Sequence, residues 1–147
     1  MTKQRVTQKD LKTVAKKLVA DCERYHSDWA TVVALQGDLG AGKTTFTREV
    51  AHVLGVKGAI TSPTFVIEKI YGLPKKGKSR FSRFVHIDAY RLEGSDELDV
   101  LGWHRIVNDP QNLIFIEWPK NVRQCLPDNT LWVTLKHVDE TVRDIDW

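Results

Sequence analysis

Residues Gly37–Thr45 read "GDLGAGKTT". Positions 37 to 44 satisfy G-x-x-x-x-G-K-[ST] at every fixed place, the pattern of a phosphate-binding loop. Just before it, "TVVALQ" (residues 31–36) is a short β-branched apolar run that reads as a buried strand. Just after it, "TTFTREVAHVLG" puts Phe46, Val50, Val53 and Leu54 on one helical face, with Gly55 placed to end the helix. Strand, glycine loop and helix in that order are the context the motif needs.

The spacing has a chemical reason. Gly37, Gly40 and Gly42 permit backbone geometries that let successive N–H groups point inward at phosphate oxygens. A helix beginning near Lys43 brings its positive end to the same place. Lys43 is expected to reach the β- and γ-phosphates, the Thr44 hydroxyl to ligate Mg²⁺, and Thr45 to make a further phosphate or helix-start contact. The candidate cofactor-binding set is therefore Gly37, Asp38, Leu39, Gly40, Ala41, Gly42, Lys43, Thr44 and Thr45. Asp38 is the odd member, because an acid in an anion-binding loop repels phosphate unless it points away, binds metal through water or orients a nucleophile. Its side chain is expected to face solvent.

Around this centre the chain reads as one α/β unit over residues 1–147: a P-loop NTPase domain with a mixed, mostly parallel sheet flanked by helices and a closing antiparallel hairpin. Residues Leu11, Val14, Ala15, Leu18, Val19 and Cys22 recur at helical spacing, predicting an amphipathic helix that Thr7 could cap. Beyond the turn-like "TSPT", "FVIEKIY" and "FVHID" read as strands that can pair as a hairpin across the loop "KKGKSR" (residues 75–80). "SDELDVLGWHRIVNDP" predicts a helix from Ser95 that is interrupted at Gly102, restarts at Trp103 and stops before Pro110. "LIFIEWP" is another buried strand, and "TLWVTLKHV" with "VRDIDW" forms the closing hairpin.

Two acids end strongly apolar strands: Asp88 after "FVHI" and Glu117 after "LIFI". An unpaired buried charge is costly, so neither suits core filling, and a P-loop protein needs a carboxylate at a neighbouring strand end for its magnesium shell. The candidate catalytic set is Asp88, Lys43 and Glu117; pattern alone leaves open which acid serves the metal and which the attacking water. His86, alternating within its strand, reads as a structural histidine.

The 147 residues carry 41% hydrophobic and 28% charged residues, which excludes disordered and fibrous classes. No apolar run approaches the roughly 18 residues of a membrane span, and "MTKQRVTQKD" lacks a signal-sequence centre, so the cytoplasm is the expected location. Cys22 and Cys125 lack metal-ligand spacing and are expected to be buried free thiols. The net charge of +3 is compatible with an acidic partner, and the basic run 75–80 is read as a solvated loop, with nucleic-acid contact as the alternative.

Taken together, "GDLGAGKTT", "TSPTF", "HIDAYRL", "DELDVLG" and "IEWP" occur in the order and at about the separations seen in the TsaE (YjeE) family, the bacterial ATPases of tRNA threonylcarbamoyladenosine synthesis, which this chain resembles over essentially its whole length. The resemblance implies an ATPase that uses ATP and Mg²⁺ and works with TsaB-like and TsaD-like proteins. TsaD transfers the threonylcarbamoyl group to the adenosine beside the anticodon, and the TsaE-like partner's ATP cycle sustains turnover. It further implies that Lys43 binds phosphate, that Thr44 and Glu117 hold the metal, that Asp88 is a second required acid, and that Trp118 is an aromatic near the site. Arg143 resembles a family arginine that approaches the nucleotide, and "TSPTF" and "AYRL" resemble switch segments. The chain is expected to be a monomer or transient oligomer alone, away from membranes, with tRNA contacted indirectly or weakly. It departs from the family at Lys120 and in its extended 75–80 loop. A small-molecule P-loop kinase and a nucleotide-stabilised adaptor are the rival readings; a GTPase is disfavoured because no N-K-x-D motif occurs.

Overall fold

The computed structural model describes residues 3–58, 60, 67–77 and 79–147. Their elements are β1 (Lys3–Thr7), α1 (Leu11–Arg24), β2 (Thr31–Gln36), α2 (Lys43–Val53), β3 (Glu68–Gly72), β4 (Arg83–Asp88), α3 (Ser95–Val100), α4 (Trp103–Val107), β5 (Asn112–Glu117), β6 (Leu131–His137) and β7 (Val142–Asp146), with short 3₁₀ segments at Gln8–Asp10 and Pro119–Cys125. One sheet of seven strands runs in the order β1-β7-β6-β2-β5-β4-β3.

Its centre is parallel: β2 lies between β5 and β6, and β5 pairs on its other side with β4. The margins are antiparallel, with β3 on β4 at one side and β7 then β1 beyond β6 at the other. Parallel strands need both faces covered, and β2 and β5 accordingly read as continuous apolar runs. Strand alternation sends Val33, Leu35, Leu113, Phe115 and Phe84 to the face covered by α1 and α2, through Leu18, Phe46 and Val50. It sends Val32, Ile114, Ile116, Val85 and Ile87 to the other face, against Leu98, Trp103, Ile106 and Val122.

The two halves of the third helical segment divide where expected. Gly102 sits at φ 80°, a left-handed geometry that ends α3 and starts α4 without the strain a side chain would bring. The predicted hairpin of β3 and β4 is present with Tyr71 opposite Phe84, although the "TSPTF" segment (61–65) falls outside the described residues. The antiparallel hairpin β6–β7 is present too, but it does not close the sheet. That edge is β1, a strand absent from the sequence reading. "KQRVT" buries only Val6, and its place is held by backbone pairing to β7 and by the Arg5 guanidinium on Asp144 at 2.9 Å. At the end of β1 the Thr7 hydroxyl donates to the Asp10 carboxylate at 2.7 Å, turning the chain into the 3₁₀ segment that leads α1.

The basic run 75–80 is less uniform than a solvated loop. Lys75 and Lys76 are exposed, Lys78 lies outside the described residues, and Arg80 turns inward. There its guanidinium donates to the carbonyls of Cys22 and Tyr25 at the end of α1 and to Thr31 Oγ1 at 3.0 Å. Orphan carbonyls at a helix C-terminus suit a cation, so Arg80 is a structural clamp. Among the described residues no helix is long and apolar enough to cross a membrane. Both cysteines are free; Cys22 is buried, whereas Cys125 is only half-buried.

Candidate functional site

Parallel pairing brings the two acids together. Asp88 and Glu117 are opposite each other in the β4–β5 register, at the carboxyl ends of their strands. Next to them β2 ends at Gln36, and the glycine loop crosses over to start α2. Ligands of open α/β sheets bind outside these strand ends, so sheet topology alone nominates this crevice. Leu39, Gly40, Gly42, Lys43, Thr44, Thr45, Asp88, Glu117, Trp118 and Arg143 line it as an open cleft of about 320 Å³.

Thr44 Oγ1 donates to Glu117 Oε1 at 3.2 Å, and the second carboxylate oxygen lies at 3.5 Å. Thus the acid that meets the loop hydroxyl, among the described residues, is Glu117. Asp88 is also buried; its Oδ1 accepts the Tyr90 N–H at 3.0 Å, and its own N–H donates to Ile67 O at 2.7 Å. Lys43 is folded back onto the loop, donating to the carbonyls of Gly37 at 2.5 Å and Asp38 at 3.1 Å. Burial pushes its pKa down, and the opposing pull of Glu117, Asp38 and Asp88 does not fully cancel that shift. A lysine so placed is held by carbonyls it can exchange for phosphate oxygens.

Trp118 covers that lysine. It sits at φ 57°, a left-handed conformation that costs a non-glycine residue about 1–2 kcal/mol, and Pro119 starts the following 3₁₀ segment. The sharp turn drops the indole over the cleft, 4.2 Å from Lys43 Nζ to ring centre, with Tyr90 tilted against it at 5.1 Å. Asp38 and Leu39 are exposed, Leu39 by 85%, so the Asp38 side chain does face solvent. Arg143 comes from β7, two residues from the buried Ile145 and therefore on the same face of the sheet. Its Nε donates to Ala41 O at 3.0 Å and its Nη1 to the carbonyls of Asp139 at 2.7 Å and Val142 at 3.0 Å.

Two features went unread in the sequence. The first is the partner of the buried His86, whose Nε2 lies 2.6 Å from Glu117 Oε2. The signal was present: His86 and Asp88 are two apart in one strand and share a face, the face of α2. The second is a cavity of about 160 Å³ that shares Gly42, Thr45 and Arg143 with the cleft and extends to Thr7, Gln8, Leu11 and Thr141. Its far wall is assembled from the end of β1, the start of α1 and the turn between β6 and β7, so no local pattern could have announced it.

The donor set fits magnesium. A hydroxyl and a carboxylate are hard oxygen ligands, and no cluster of three or more His, Cys, Asp or Glu side chains able to hold a metal ion occurs among the described residues. Mg²⁺ is commonly held by one or two protein groups together with phosphates and water. The loop fits phosphate, since a Cβ built at Gly40 meets nothing within 4 Å and α2 begins at Lys43.

The profile of the family described as "Threonylcarbamoyl adenosine biosynthesis protein TsaE" matches residues 6–145. The tRNA threonylcarbamoyladenosine biosynthesis protein TsaE of Streptomyces coelicolor is 40% identical over 114 residues, 77% of this chain and 71% of that one. Its counterpart in Rickettsia prowazekii is 39% identical over 113 residues, 76% of this chain and 73% of that one. The crystal structure of Bacillus subtilis YdiB superposes with a TM-score of 0.68 at 29% identity, covering 98% of this chain and 82% of that one. Chain-long sequence agreement and a shared fold establish that this chain belongs to the TsaE family of threonylcarbamoyl adenosine biosynthesis proteins.

Proposed function

We propose that the chain is the ATP-binding and ATP-hydrolysing member of the machinery that makes threonylcarbamoyladenosine in tRNA, acting with TsaB-like and TsaD-like partners in the cytoplasm. The observation that carries this reading is the Thr44–Glu117 contact at 3.2 Å beside Lys43 and Asp88 in one cleft. Inward N–H groups and Lys43 hold the phosphates, while Thr44 and Glu117 hold Mg²⁺, which supplies charge neutralisation when bound. The cavity lined by Thr7, Gln8, Leu11 and Thr141 receives the base and sugar. Asp88 aligns the attacking water, its carboxylate steadied by the Tyr90 N–H.

Positioning and charge stabilisation then account for the chemistry. Turnover is slow without partners, because Arg143 commits its Nε and Nη1 to three backbone carbonyls of its own chain and so braces the loop. The test is a reconstituted tRNA-modifying assembly carrying Lys43→Ala. ATP turnover and multi-round modification should both be lost. Modification at the normal rate without nucleotide binding would show that the chain is only an adaptor, and a phosphorylated small acceptor would show that it is a kinase.

A further inference from the structure

We propose that His86 is the positioning residue for the metal-binding carboxylate: its imidazole holds one oxygen of Glu117 so that the other faces the Thr44 hydroxyl and the cleft. The proposal rests on the reading of Glu117 as a magnesium ligand and adds a residue that the loop motif does not contain.

The geometry follows from the sheet. In the parallel β4–β5 pair, His86 stands opposite Phe115, and Glu117 is the next residue on that face, one step along the strand. The imidazole therefore reaches the carboxylate diagonally, and both side chains are shut away from solvent at 1% and 4% exposure. Nε2 meets Glu117 Oε2 at 2.6 Å, while Thr44 Oγ1 is closer to Oε1, 3.2 Å against 3.5 Å. One oxygen is thus occupied from behind and the other is presented forward. A carboxylate with a single torsional setting is what a metal ligand needs, and outer partners of this kind commonly fix ligand orientation.

The rest of the ring argues against simple core filling. Nδ1 is buried and has no hydrogen-bond partner among the described residues. With the carboxylate as acceptor, the hydrogen-bond network places an N–H at Nε2. The polar capacity of the imidazole is spent on Glu117 alone, and an apolar residue of similar size would avoid burying an unpaired nitrogen. Removing the donor leaves Oε2 as a buried anionic oxygen with no partner behind it, free to rotate toward another donor.

The experiment uses the full chain with a non-hydrolysable ATP analogue and reads Mn²⁺ affinity by electron paramagnetic resonance. Glutamine can place an amide N–H where the imidazole Nε2 sits; asparagine is too short, and phenylalanine has no donor. His86→Asn and His86→Phe should weaken Mn²⁺ by about 10–100-fold, with His86→Gln restoring most of the affinity. Analogue affinity in excess EDTA should be the same in all three variants, since none touches the phosphate loop, and using two variants that cannot place a donor at the Nε2 position guards against one failing to fold. If folded Asn, Phe and Gln variants all bind Mn²⁺ like the wild type while Glu117→Gln does not, His86 has no positioning role. If glutamine is as defective as phenylalanine, the hydrogen bond is not the cause and the proposal is likewise overturned. If Glu117→Gln itself leaves Mn²⁺ binding intact, the reading of Glu117 as a ligand has failed and this inference fails with it.

Discussion

Lys43 and Trp118 are stacked, the ammonium 4.2 Å from the indole centre and hydrogen-bonded at the same time to the Gly37 and Asp38 carbonyls. A cation so enclosed has to exchange these partners before it can serve a phosphate, and the exchange changes the field on the indole. Nucleotide addition should therefore alter tryptophan emission, and Trp118→Phe should abolish the change although four other tryptophans remain. A titration in which the variant responds like the wild type would mean that Lys43 does not move against this ring.

Gly37 has no room for a side chain. A Cβ there would lie 2.5 Å from the carbonyl oxygen of Leu135, and that oxygen belongs to the backbone of β6, buried beside β2. Neither strand can yield cheaply, so Gly37→Ala should cost about 1–3 kcal/mol, as overpacking does. For a chain of this size that is a fall of several degrees in melting temperature, readable by scanning calorimetry. Analogue binding should weaken in parallel, because the displaced residue opens the phosphate loop. An unchanged melting curve would contradict the close approach.

Arg143 ties the last strand to the loop. It uses Nε and Nη1 at once, on carbonyls in two different segments, a geometry that the single ammonium of lysine cannot reproduce. Arg143→Lys should therefore weaken nucleotide affinity by about 1–2 kcal/mol, roughly tenfold, while retaining the charge. Isothermal titration separates this from a purely electrostatic role, in which lysine would bind as well as arginine.

The two thiols should behave differently. Burial pushes the Cys22 pKa up from 9.0 to about 12, whereas Cys125 is half-exposed. An alkylating reagent at pH 8 should modify Cys125 in the native protein and Cys22 only on unfolding, which peptide mass spectrometry resolves. The sign of the pH effect follows. Above pH 9.0 the unfolded chain loses the Cys22 proton while the folded chain retains it to about 12, so this residue's contribution to stability is complete below pH 9.0 and declines from there to about pH 12. Fast labelling of Cys22 in the folded state would place it outside the core.

Much of this molecule is local and was legible in its residues: the β2–loop–α2 unit, the break at Gly102, the apolar runs of β4 and β5 and the acids that end them. Apolar periodicity and glycine chemistry act over a few residues, and the chain states them directly. Other features exist only through pairing over long separations. β1 has one buried residue and is held by a strand some 140 positions away, so nothing in "KQRVT" announces it. Thr44 and Glu117 are 73 apart, and Arg143 is 102 from the carbonyl it braces; strand order and register decide those meetings. Local pattern was enough for the phosphate loop, its strand and helix, and the two candidate acids. That Glu117 faces Thr44, that His86 stands behind it, and that Trp118 covers Lys43 are products of the folded chain, because each depends on which strands lie side by side and where the backbone turns after them.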